Sequence, residues 1–418
     1  MNEIKIINGG VTAAQGFRAA GIHCGIKEKM PDSLSLDSCL TGKGDLAMIL
    51  SDAPCAAAGT FTRNIVQAAP VQLTRKRLEN GSCRGIIVNS GNANACAPHG
   101  QENAEKMCEL AAAAVGLLPE DFAAASTGVI GQTLPIEAIE QGMPFLVQTL
   151  SETGSDAAAD AIMTTDTVSK TCAVEFELDG RITRLGGIAK GSGMIHPNMG
   201  TLLCFLTTDA AIAPAVLQTA LQNVIERTLN RVTIDGDTST NDTCILLANG
   251  QAGNRLITEQ DADYDMFVSA LYRVLETLAV KIAADGEGAS RLLTCTVNGA
   301  PDENSAVQLA RSVILSPLLK AAMFGADANW GRVLCALGNS GIRFQPEKVD
   351  VSFSSSAGQI TVCRGGQPVD FDEEHATEIL SQDAITILVQ LQEGTGKATC
   401  WGCDLTCDYV RINSDYRS

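Results

Sequence analysis

The sequence predicts an α/β protein in which layered sheets are covered by helices. Short apolar runs typical of buried strands alternate along the chain with segments whose apolar residues recur every three or four positions. Glycine-marked turns separate these runs, and there is no low-complexity linker or internal repeat. Because 418 residues exceed what one hydrophobic core usually serves, two lobes or domains are expected, although the composition marks no boundary between them.

The strands are predicted from apolar runs that end in turn residues. One long run carries Asp179-Gly180 between two alternating halves, which is typical of a β-hairpin turn. The predicted strands are 46–52, 85–91, 172–190 with its hairpin, 201–210, 243–250, 349–355, 358–364 and 384–392.

Three segments predict amphipathic helices. Residues 101–115 follow a 3.6-residue period, and 261–284 form a longer helix of the same kind. In 214–231 the apolar residues share one face behind Pro214, which suits the first turn of a helix. Long helical crossings of this kind between apolar strands indicate sheets covered by helices.

The chain is acidic, with 48 Asp and Glu against 30 Lys and Arg and a net charge of −18. This field repels phosphate backbones and anionic membranes, so neither nucleic acid nor a membrane is expected as a partner. An acidic protein that binds an anionic substrate needs specific basic side chains in its pocket. A lysine in a Gly-rich, otherwise uncharged stretch is therefore a candidate ligand for that substrate.

Fifteen cysteines, an odd number, are scattered from Cys24 to Cys407, and no secretory leader precedes them. Reduced thiols and a cytoplasmic location are expected. Cys400, Cys403 and Cys407 form the one dense group, but a closed zinc site needs a fourth ligand, so a metal is not favoured there. The longest uncharged stretch, 191–208, contains Gly, Ser, His, Pro and Asn, so a transmembrane segment is not expected.

Several common motifs are missing from the sequence. There is no Walker loop, no dinucleotide-binding G-x-G-x-x-G between a strand and a helix, no G-x-S-x-G and no H-E-x-x-H. Residues 235–242 resemble a calcium loop, but Thr240 stands where that loop needs glycine, so a polar turn is favoured. The usual dehydrogenase, hydrolase and metalloprotease interpretations lose their support.

The segment KGSGMIHPNMGTLLCFLTTDA, residues 190–210, places Lys190 in a Gly-rich loop that runs into an apolar strand, whose first residue is predicted to be Thr201. The Thr201 hydroxyl behind Gly200 could attack the preceding carbonyl, because glycine adds no Cβ bulk and tolerates strained dihedrals. Hydrolysis of that ester would free an α-amine with a pKa near about 8, suited to act as general base for the hydroxyl of the same residue. Spacing alone also allows, and favours, a simple turn.

Many motifs in the same order resemble the ornithine acetyltransferase family, the ArgJ-type proteins of arginine biosynthesis. The junction is similar to the family pattern KGxGMxxPNMATML, in which cleavage occurs before the Thr. The resemblance covers nearly the whole chain and rests also on 16–27, 89–96, STGVIG (126–131), AIMTTDT (161–167), DGDTSTNDT (235–243), DGEGASR (285–291), 325–332 and 402–418.

The resemblance implies a self-processing fold of the N-terminal-nucleophile type. It implies cleavage between Gly200 and Thr201 into an α chain of residues 1–200 and a β chain of residues 201–418 that begins with the nucleophile. The two chains would pair as an α2β2 heterotetramer. Thr127 and Gly128 would form the oxyanion hole, a role that a hydroxyl and a backbone N–H can fill.

The resemblance also implies the substrate contacts. A lysine can meet a carboxylate and a glutamate an ammonium, which suits an amino-acid ligand. Taken singly, each residue has a structural alternative, as a solvated charge, a cap or a frayed terminus. The implied substrate-binding residues are Thr164, Lys190, Thr201, Glu287, Asn413 and Ser418.

The chain departs from the family pattern at a few positions. Gly200 replaces the usual Ala and should ease the acyl shift, and Leu202 replaces Met. His196 stands where a small residue is common, but cleavage would separate it from the nucleophile's chain, so a satisfied loop histidine is favoured. Cys400 and Cys407 are atypical and have no assigned role.

The predicted function is transfer of the acetyl group from N2-acetylornithine to glutamate through acetyl-Thr201 by a ping-pong mechanism, with no cofactor. The sequence does not decide whether acetyl-CoA serves as a second acetyl donor, because no cluster of basic residues along the chain indicates a binding site for it. One alternative is an amide hydrolase or aminopeptidase of the related self-processing fold. A self-cleaving decarboxylase is a weaker alternative, because a pyruvoyl group arises from Ser and not from Thr. A third alternative, from a different class, is a binding protein that is not cleaved.

Overall fold

The computed structural model describes residues 3–28, 35–196 and 202–415. The strands of these residues are β1 Lys5–Ile7, β2 Phe17–Ile22, β3 Leu46–Phe61, β4 Ser82–Asn92, β5 Phe122–Val129, β6 Lys170–Leu178, β7 Arg181–Lys190, β8 Leu203–Thr208, β9 Thr243–Ala248, β10 Leu292–Ala300, β11 Asp350–Ser355, β12 Gly358–Arg364, β13 Gln367–Pro368, β14 Ala384–Gln390 and β15 Gly396–Cys403. The helices are α1 Leu36–Thr41, α2 Ala69–Arg77, α3 Gly100–Val115, α4 Ile136–Gln148, α5 Ser155–Ala161, α6 Pro214–Ile225, α7 Ala262–Ala284, α8 Glu303–Leu315, α9 Pro317–Phe324, α10 Trp330–Gly338, α11 Glu373–Leu380 and α12 Cys407–Asp415.

These strands form two sheets. The larger has the order β1-β6-β7-β8-β9-β3-β4-β5, with β2 also paired to β3. Strand β3 contributes to two parts of it, because its first half pairs with β2 and β4 and its second half pairs with β9, with a register shift between Leu50 and Cys55. The smaller sheet has the order β13-β12-β11-β14-β10-β15.

The two parts of the larger sheet face each other across a shared core. Ile49 of β3 and Val88 of β4 pack in one cluster with Phe205 of β8 and Ile245 of β9. The outer face on the β3–β5 side packs against α3 and α4, and the outer face on the β6–β9 side packs against α6 and α7. The order is therefore helix, sheet, sheet, helix, which confirms the predicted α/β class with layered sheets covered by helices.

Side-chain alternation along the strands produces these layers. In β8, Phe205 points to the inner core while Cys204 and Leu206 point to the helices α6 and α7. Because both faces of the strand are covered, the strand is apolar throughout, as its sequence predicts.

The predicted elements are observed with shifted ends. The hairpin is confirmed, because Asp179 and Gly180 adopt φ of 49° and 71° between β6 and β7. The helix predicted over 214–231 ends at Ile225, where the chain leaves helical geometry and Thr228 adopts φ −130° and ψ −92°. The strand predicted over 201–210 begins at Leu203 in the described part of the chain.

The smaller sheet has its own core with α8–α11. Among the helices of the described ranges, none is by itself long and apolar enough to span a membrane; α8 and α9, bent by 58° at their junction, pass that test only as a pair, on length and composition.

Candidate active site

Strand ends from both parts of the larger sheet meet around a small pocket of about 100 Å³. Its lining includes Thr127, Gly128, Thr164, Lys190, Glu287 and Asn413, which come from distant parts of the chain. All six are residues that the sequence predicts at the site. The predicted residues Gly200, Thr201 and Ser418 lie outside the described residues.

The pairing of β7 with β8 sets the two sides of the junction next to each other. Lys190, the last residue of β7, is the register partner of Leu203, the first residue of β8. Leu203 in turn pairs with Thr243, the first residue of β9. The lysine is therefore held beside the start of the strand that follows the predicted nucleophile.

Thr127 and Gly128 lie near the end of β5, where it approaches β4. Gly128 has φ of +133°, and a Cβ on it would lie 2.3 Å from the carbonyl carbon of Gly91. Only glycine fits this close backbone approach. The Asn241 side chain fixes the same strand end, because its Nδ2 donates to the carbonyl oxygens of Ser126 at 2.8 Å and Ala93 at 2.6 Å.

Lys190 is buried and belongs to a chain of alternating charges. Its Nζ lies 3.4 Å from Thr127 Oγ1 and 3.9 Å from the Asp166 carboxylate. The other oxygen of Asp166 accepts from Lys170 Nζ at 2.7 Å, and Lys170 Nζ also donates to Asp285 at 2.6 Å. Two buried lysines thus share two carboxylates, which offsets much of the cost of removing these charges from water.

The pKa values follow from this arrangement. Burial by itself would raise the pKa of Asp166, but Lys190 and Lys170 outweigh it and hold that pKa well below its usual range. Burial lowers the pKa of Lys190, and Lys170 lowers it further, while Asp166 and Glu287 oppose the shift. At neutral pH Asp166 is therefore an anion that helps to keep Lys190 charged.

Glu287 and Asn413 form the other side of the pocket. Asn413 Nδ2, on α12, donates to Glu287 Oε2 at 2.8 Å and to the Tyr409 carbonyl at 3.0 Å. Gly193 lies in the loop that follows β7. Because it has no side chain, the Glu287 carboxylate can approach this loop closely: a Cβ on Gly193 would lie 2.3 Å from Glu287 Oε2. The pocket lining thus combines a carboxylate, a lysine, a threonine hydroxyl and a glycine.

Thr164 is part of the pocket lining, and its N–H donates to Asp166 Oδ2 at 3.0 Å. This bond ties the loop that precedes β6 to the charge chain. The sequence assigned no role to Asp166, Lys170, Asp285 or Asn241, although Asp166, Asp285 and Asn241 lie in motifs that carry the family resemblance. The signal that the sequence offered was a single Asp or Lys among mostly uncharged neighbours.

Replacing Lys170 with methionine is expected to destabilise the fold by about 3–5 kcal/mol, because it leaves the buried Asp166 and Asp285 carboxylates without their shared cation. Denaturant unfolding of the purified variant measures this. Lys281→Met is the control, because Lys281 is exposed and donates only to the Thr171 carbonyl; it should change stability by less than about 0.5 kcal/mol. Equal midpoints for the two variants would contradict the assignment.

The other sequence candidates have structural partners. Asp235 accepts from the N–H groups of Met194, Ile195 and Asp237, which is the polar turn that the sequence favoured over a calcium loop. The His196 Nδ1 lies 3.3 Å from Thr233 Oγ1, in agreement with a satisfied loop histidine.

The three clustered cysteines do not converge. Cys400 and Cys403 lie three positions apart on β15, so their side chains point to opposite faces and into different core clusters. Cys407 is exposed at the start of α12. Residues 3–28, 35–196 and 202–415 contain no group of three or more His, Cys, Asp or Glu side chains that could hold a metal ion.

Two larger grooves, of about 830 and 690 Å³, lie elsewhere on the surface, and neither contains a predicted site residue. Volume alone therefore does not identify the site. The small pocket is preferred because its charged and hydroxyl groups are buried and converge.

The fold is layered α/β, and a polar pocket whose charged and hydroxyl groups are buried lies at its strand ends, which is typical of enzymes. The chain belongs to the ArgJ family, whose sequence profile matches residues 18–418. Members of this family are bifunctional enzymes of arginine biosynthesis.

Two relatives named arginine biosynthesis bifunctional protein ArgJ illustrate the similarity. The protein of Symbiobacterium thermophilum is 48% identical over 411 residues, which cover 98% of this chain and 99% of the relative. ArgJ 1 of Clostridium acetobutylicum is 46% identical over 420 residues and 100% of each chain.

Solved structures are also similar. One is the ornithine acetyltransferase of Mycobacterium tuberculosis complexed with ornithine, which is 36% identical and covers 48% of this chain and 100% of that chain, with a TM-score of 0.40. The ArgJ crystal structure from Bacillus halodurans is 44% identical and covers 51% of this chain and 98% of that chain, with a TM-score of 0.49.

Proposed function

We propose that this protein transfers the acetyl group of N2-acetyl-L-ornithine to L-glutamate through an acetyl ester on Thr201. The supporting observation is that Lys190, Glu287 and the pair Thr127 and Gly128 line one buried pocket beside the start of β8. The M. tuberculosis relative is described as an ornithine acetyltransferase complexed with ornithine. The chemistry of the pocket fits a ligand of that kind.

The pocket offers complementary charges to an amino acid. Lys190 presents a cation for a carboxylate, and the Glu287 carboxylate, oriented by Asn413, presents an anion for an ammonium. Thr164 lies in the lining between them, and Ser418 is proposed as a further contact at the chain end. Because these charges are buried, their pairing with substrate is stronger than it would be in water.

Activation is proposed to begin with self-cleavage between Gly200 and Thr201. The Thr201 hydroxyl adds to the Gly200 carbonyl, and the peptide C–N bond breaks to give an ester while its nitrogen takes the hydroxyl proton and becomes a free amine. Water then hydrolyses the ester, which leaves a carboxylate on Gly200 and restores the Thr201 hydroxyl. The amine then serves as general base for the hydroxyl of the same residue.

The strand order supports a cleaved protein whose pieces stay together. Strands β8 and β9, from residues after 200, lie in the larger sheet between β7 and β3, from residues before 200. Antiparallel ladders on both sides, β7 with β8 and β9 with β3, hold the α chain of 1–200 to the β chain of 201–418. Association of two such pairs as α2β2 is part of the proposal.

Acetyl transfer then takes two matching steps. The Thr201 oxygen attacks the acetyl carbonyl and its proton passes to the amine; the tetrahedral intermediate collapses, and the departing ornithine nitrogen takes that proton. Glutamate's amine then attacks the ester, loses a proton to the base, and expels the Thr201 oxygen, which recovers it. In both steps the oxyanion accepts from Gly128 N–H and the Thr127 hydroxyl, whose oxygen already faces Lys190 Nζ at 3.4 Å.

No resident cofactor is required in this proposal, because Thr201 itself carries the acetyl group. We also propose a reducing compartment, the cytoplasm, as the place of action, supported by fifteen free thiols, most of them buried.

The assay that tests the proposal follows ornithine release from N2-acetylornithine with and without glutamate. A ping-pong transferase is expected to release about one equivalent of ornithine per site without glutamate, and to need glutamate for continued release, with equimolar N-acetylglutamate formed. Steady release without glutamate and with free acetate would indicate the amide hydrolase instead. Double-reciprocal plots at several glutamate concentrations should be parallel.

A second acetyl donor, acetyl-CoA, is proposed for the same enzyme. The observation that favours it is the groove of about 690 Å³, into which the fold brings four arginines and two glutamates from separate segments. Arg227 and Arg231 follow α6, and Arg311 comes from α8. Such a surface can bind the phosphates of coenzyme A in an otherwise acidic protein.

Labelled acetyl-CoA and glutamate are expected to give labelled N-acetylglutamate. Arg227→Gln should raise the KM for acetyl-CoA about tenfold, equivalent to one lost charge-assisted contact, and leave the KM for N2-acetylornithine unchanged. An enzyme that is active with acetylornithine and yields no labelled product would restrict it to the single donor.

A further inference from the structure

Asp242 is buried directly before β9, beside Leu202, the residue that follows the predicted nucleophile in sequence. Its Oδ1 accepts from the Leu202 N–H at 3.0 Å, and its own carbonyl accepts from the Thr62 N–H at 3.0 Å. The residue is 1% exposed. One carboxyl oxygen is thus tied to the peptide group that immediately follows Thr201.

The second oxygen of this carboxyl group, Oδ2, has no hydrogen-bond partner among the described residues, although it is buried. The Thr62 hydroxyl faces the same carboxyl but donates its hydrogen to the Ser239 carbonyl at 2.6 Å. An unsatisfied buried carboxyl oxygen is costly and calls for an explanation.

The electrostatic surroundings indicate which partner is missing. Burial raises the pKa of Asp242 well above its usual range, against the opposing effects of the Leu202 N–H, Thr62 and the cation of Lys190. Lys190, from β7, is itself shared with Asp166 and Glu287. A further cation beside Oδ2 would restore the ionised form of the carboxyl group.

The α-amine of Thr201 can be this cation, and the fixed bond lengths of the backbone limit how far it lies from the Leu202 nitrogen. The Leu202 nitrogen is separated from the nitrogen of Thr201 by three bonds, so the two nitrogens lie within about 4 Å of each other in any conformation. A carboxyl group that holds the first with one oxygen is within reach of the second with the other. Before cleavage this nitrogen is an amide, and after cleavage it is an amine that can carry a positive charge.

We infer that Asp242 is a positioning residue whose free oxygen pairs with the α-ammonium that forms on Thr201 each time its hydroxyl is deprotonated. This inference rests on the proposed function. The proton moves from the Thr201 hydroxyl to its amine, and the carboxylate stabilises the ammonium without taking the proton. The role is distinct from the contacts of Lys190 and Glu287, which meet substrate.

The test is the pH dependence of kcat/KM for acetyl transfer in Asp242→Asn. A neighbouring carboxylate raises the pKa of an amine, so its loss should move the acid limb to lower pH by about one unit, with a fall of about 10- to 100-fold in kcat. The asparagine keeps an acceptor for the Leu202 N–H. Asp209→Asn is the control: Asp209 is equally buried and accepts from the Arg184 and Gln15 N–H groups at the other end of β8.

An acid limb that stays in place in an active Asp242→Asn enzyme would overturn the inference. If that variant fails to fold or to be cleaved, the inference is tested on the wild-type enzyme instead. Competitive acylation of its two α-amines as a function of pH measures the pKa of each amine. The Thr201 amine is expected to titrate above the amine of residue 1, and a value at or below about 8 would overturn the inference. An uncut, inactive wild-type chain would instead refute the proposed function.

Discussion

Replacing Thr201 with alanine is expected to give a single full-length chain that transfers no acetyl group. The change removes the hydroxyl that is proposed to attack the Gly200 carbonyl and later to carry the acetyl ester, so both self-cleavage and transfer should be lost. Loss of a covalent nucleophile typically lowers the rate by several orders of magnitude. A denaturing gel and the ornithine-release assay measure the two effects on one preparation.

Thr207→Ala is the matched control, because Thr207 lies on β8 and donates its hydroxyl hydrogen to the Val11 carbonyl at 2.6 Å, within the core. It should cost stability but leave two bands on the gel and preserve acetyl transfer. N-terminal sequencing of the two wild-type fragments should show that the larger one begins at Thr201. Acetyl transfer by an intact Thr201→Ala chain would show that the proposed chemistry is wrong.

Gly128→Ala is expected to lower kcat for acetyl transfer by about 10²- to 10³-fold, because it displaces the N–H that is proposed to donate to the oxyanion. The added Cβ would lie 2.3 Å from the Gly91 carbonyl carbon and 2.5 Å from the Asn92 nitrogen. It also meets a φ of +133°, which residues with a side chain rarely adopt. The end of β5 must move, and Thr127 moves with it.

Gly131→Ala separates this effect from backbone strain in general. Gly131 lies three residues further on with φ of +85°, and a Cβ there has no neighbour within 4 Å. The control should lose a little stability and keep its activity. If Gly128→Ala folds and transfers acetyl at the wild-type rate, the N–H of this residue does not stabilise the oxyanion. Circular dichroism of both variants verifies that the fold is intact.

Alternating apolar residues in strands and helical periodicity are local properties, and they predicted the layers correctly. The hairpin at Asp179-Gly180 needs only two residues that tolerate positive φ, so it too could be read from sequence. The second half of β3 was missed. Its CAAAGTF run is mostly Ala and Gly before the final Thr-Phe, so its local strand propensity is weak, and it becomes a strand because it pairs with β9, almost two hundred residues later.

The residues of the site also fall into a group that the sequence predicted and a group that it did not. The family motifs led to Thr127, Gly128, Thr164, Lys190, Glu287 and Asn413, and the fold brings all six to one pocket. Their partners were not predicted: Asp166 and Lys170 are four residues apart, but the third member, Asp285, joins them only through folding. The arginines of the 690 Å³ groove are equally scattered along the chain.

By itself, the sequence determined the α/β class and the family, and it predicted nine of the fifteen strands and three of the twelve helices of the described residues, since these depend on local periodicity and on motifs. It also named six residues that the fold brings to one pocket. Only the tertiary structure decided which charges share a buried cavity. Strand register decides which residues far apart in sequence become buried together. This burial and pairing of charges keep Asp166 ionised, hold Lys190 beside it and leave one oxygen of Asp242 without a partner among the described residues.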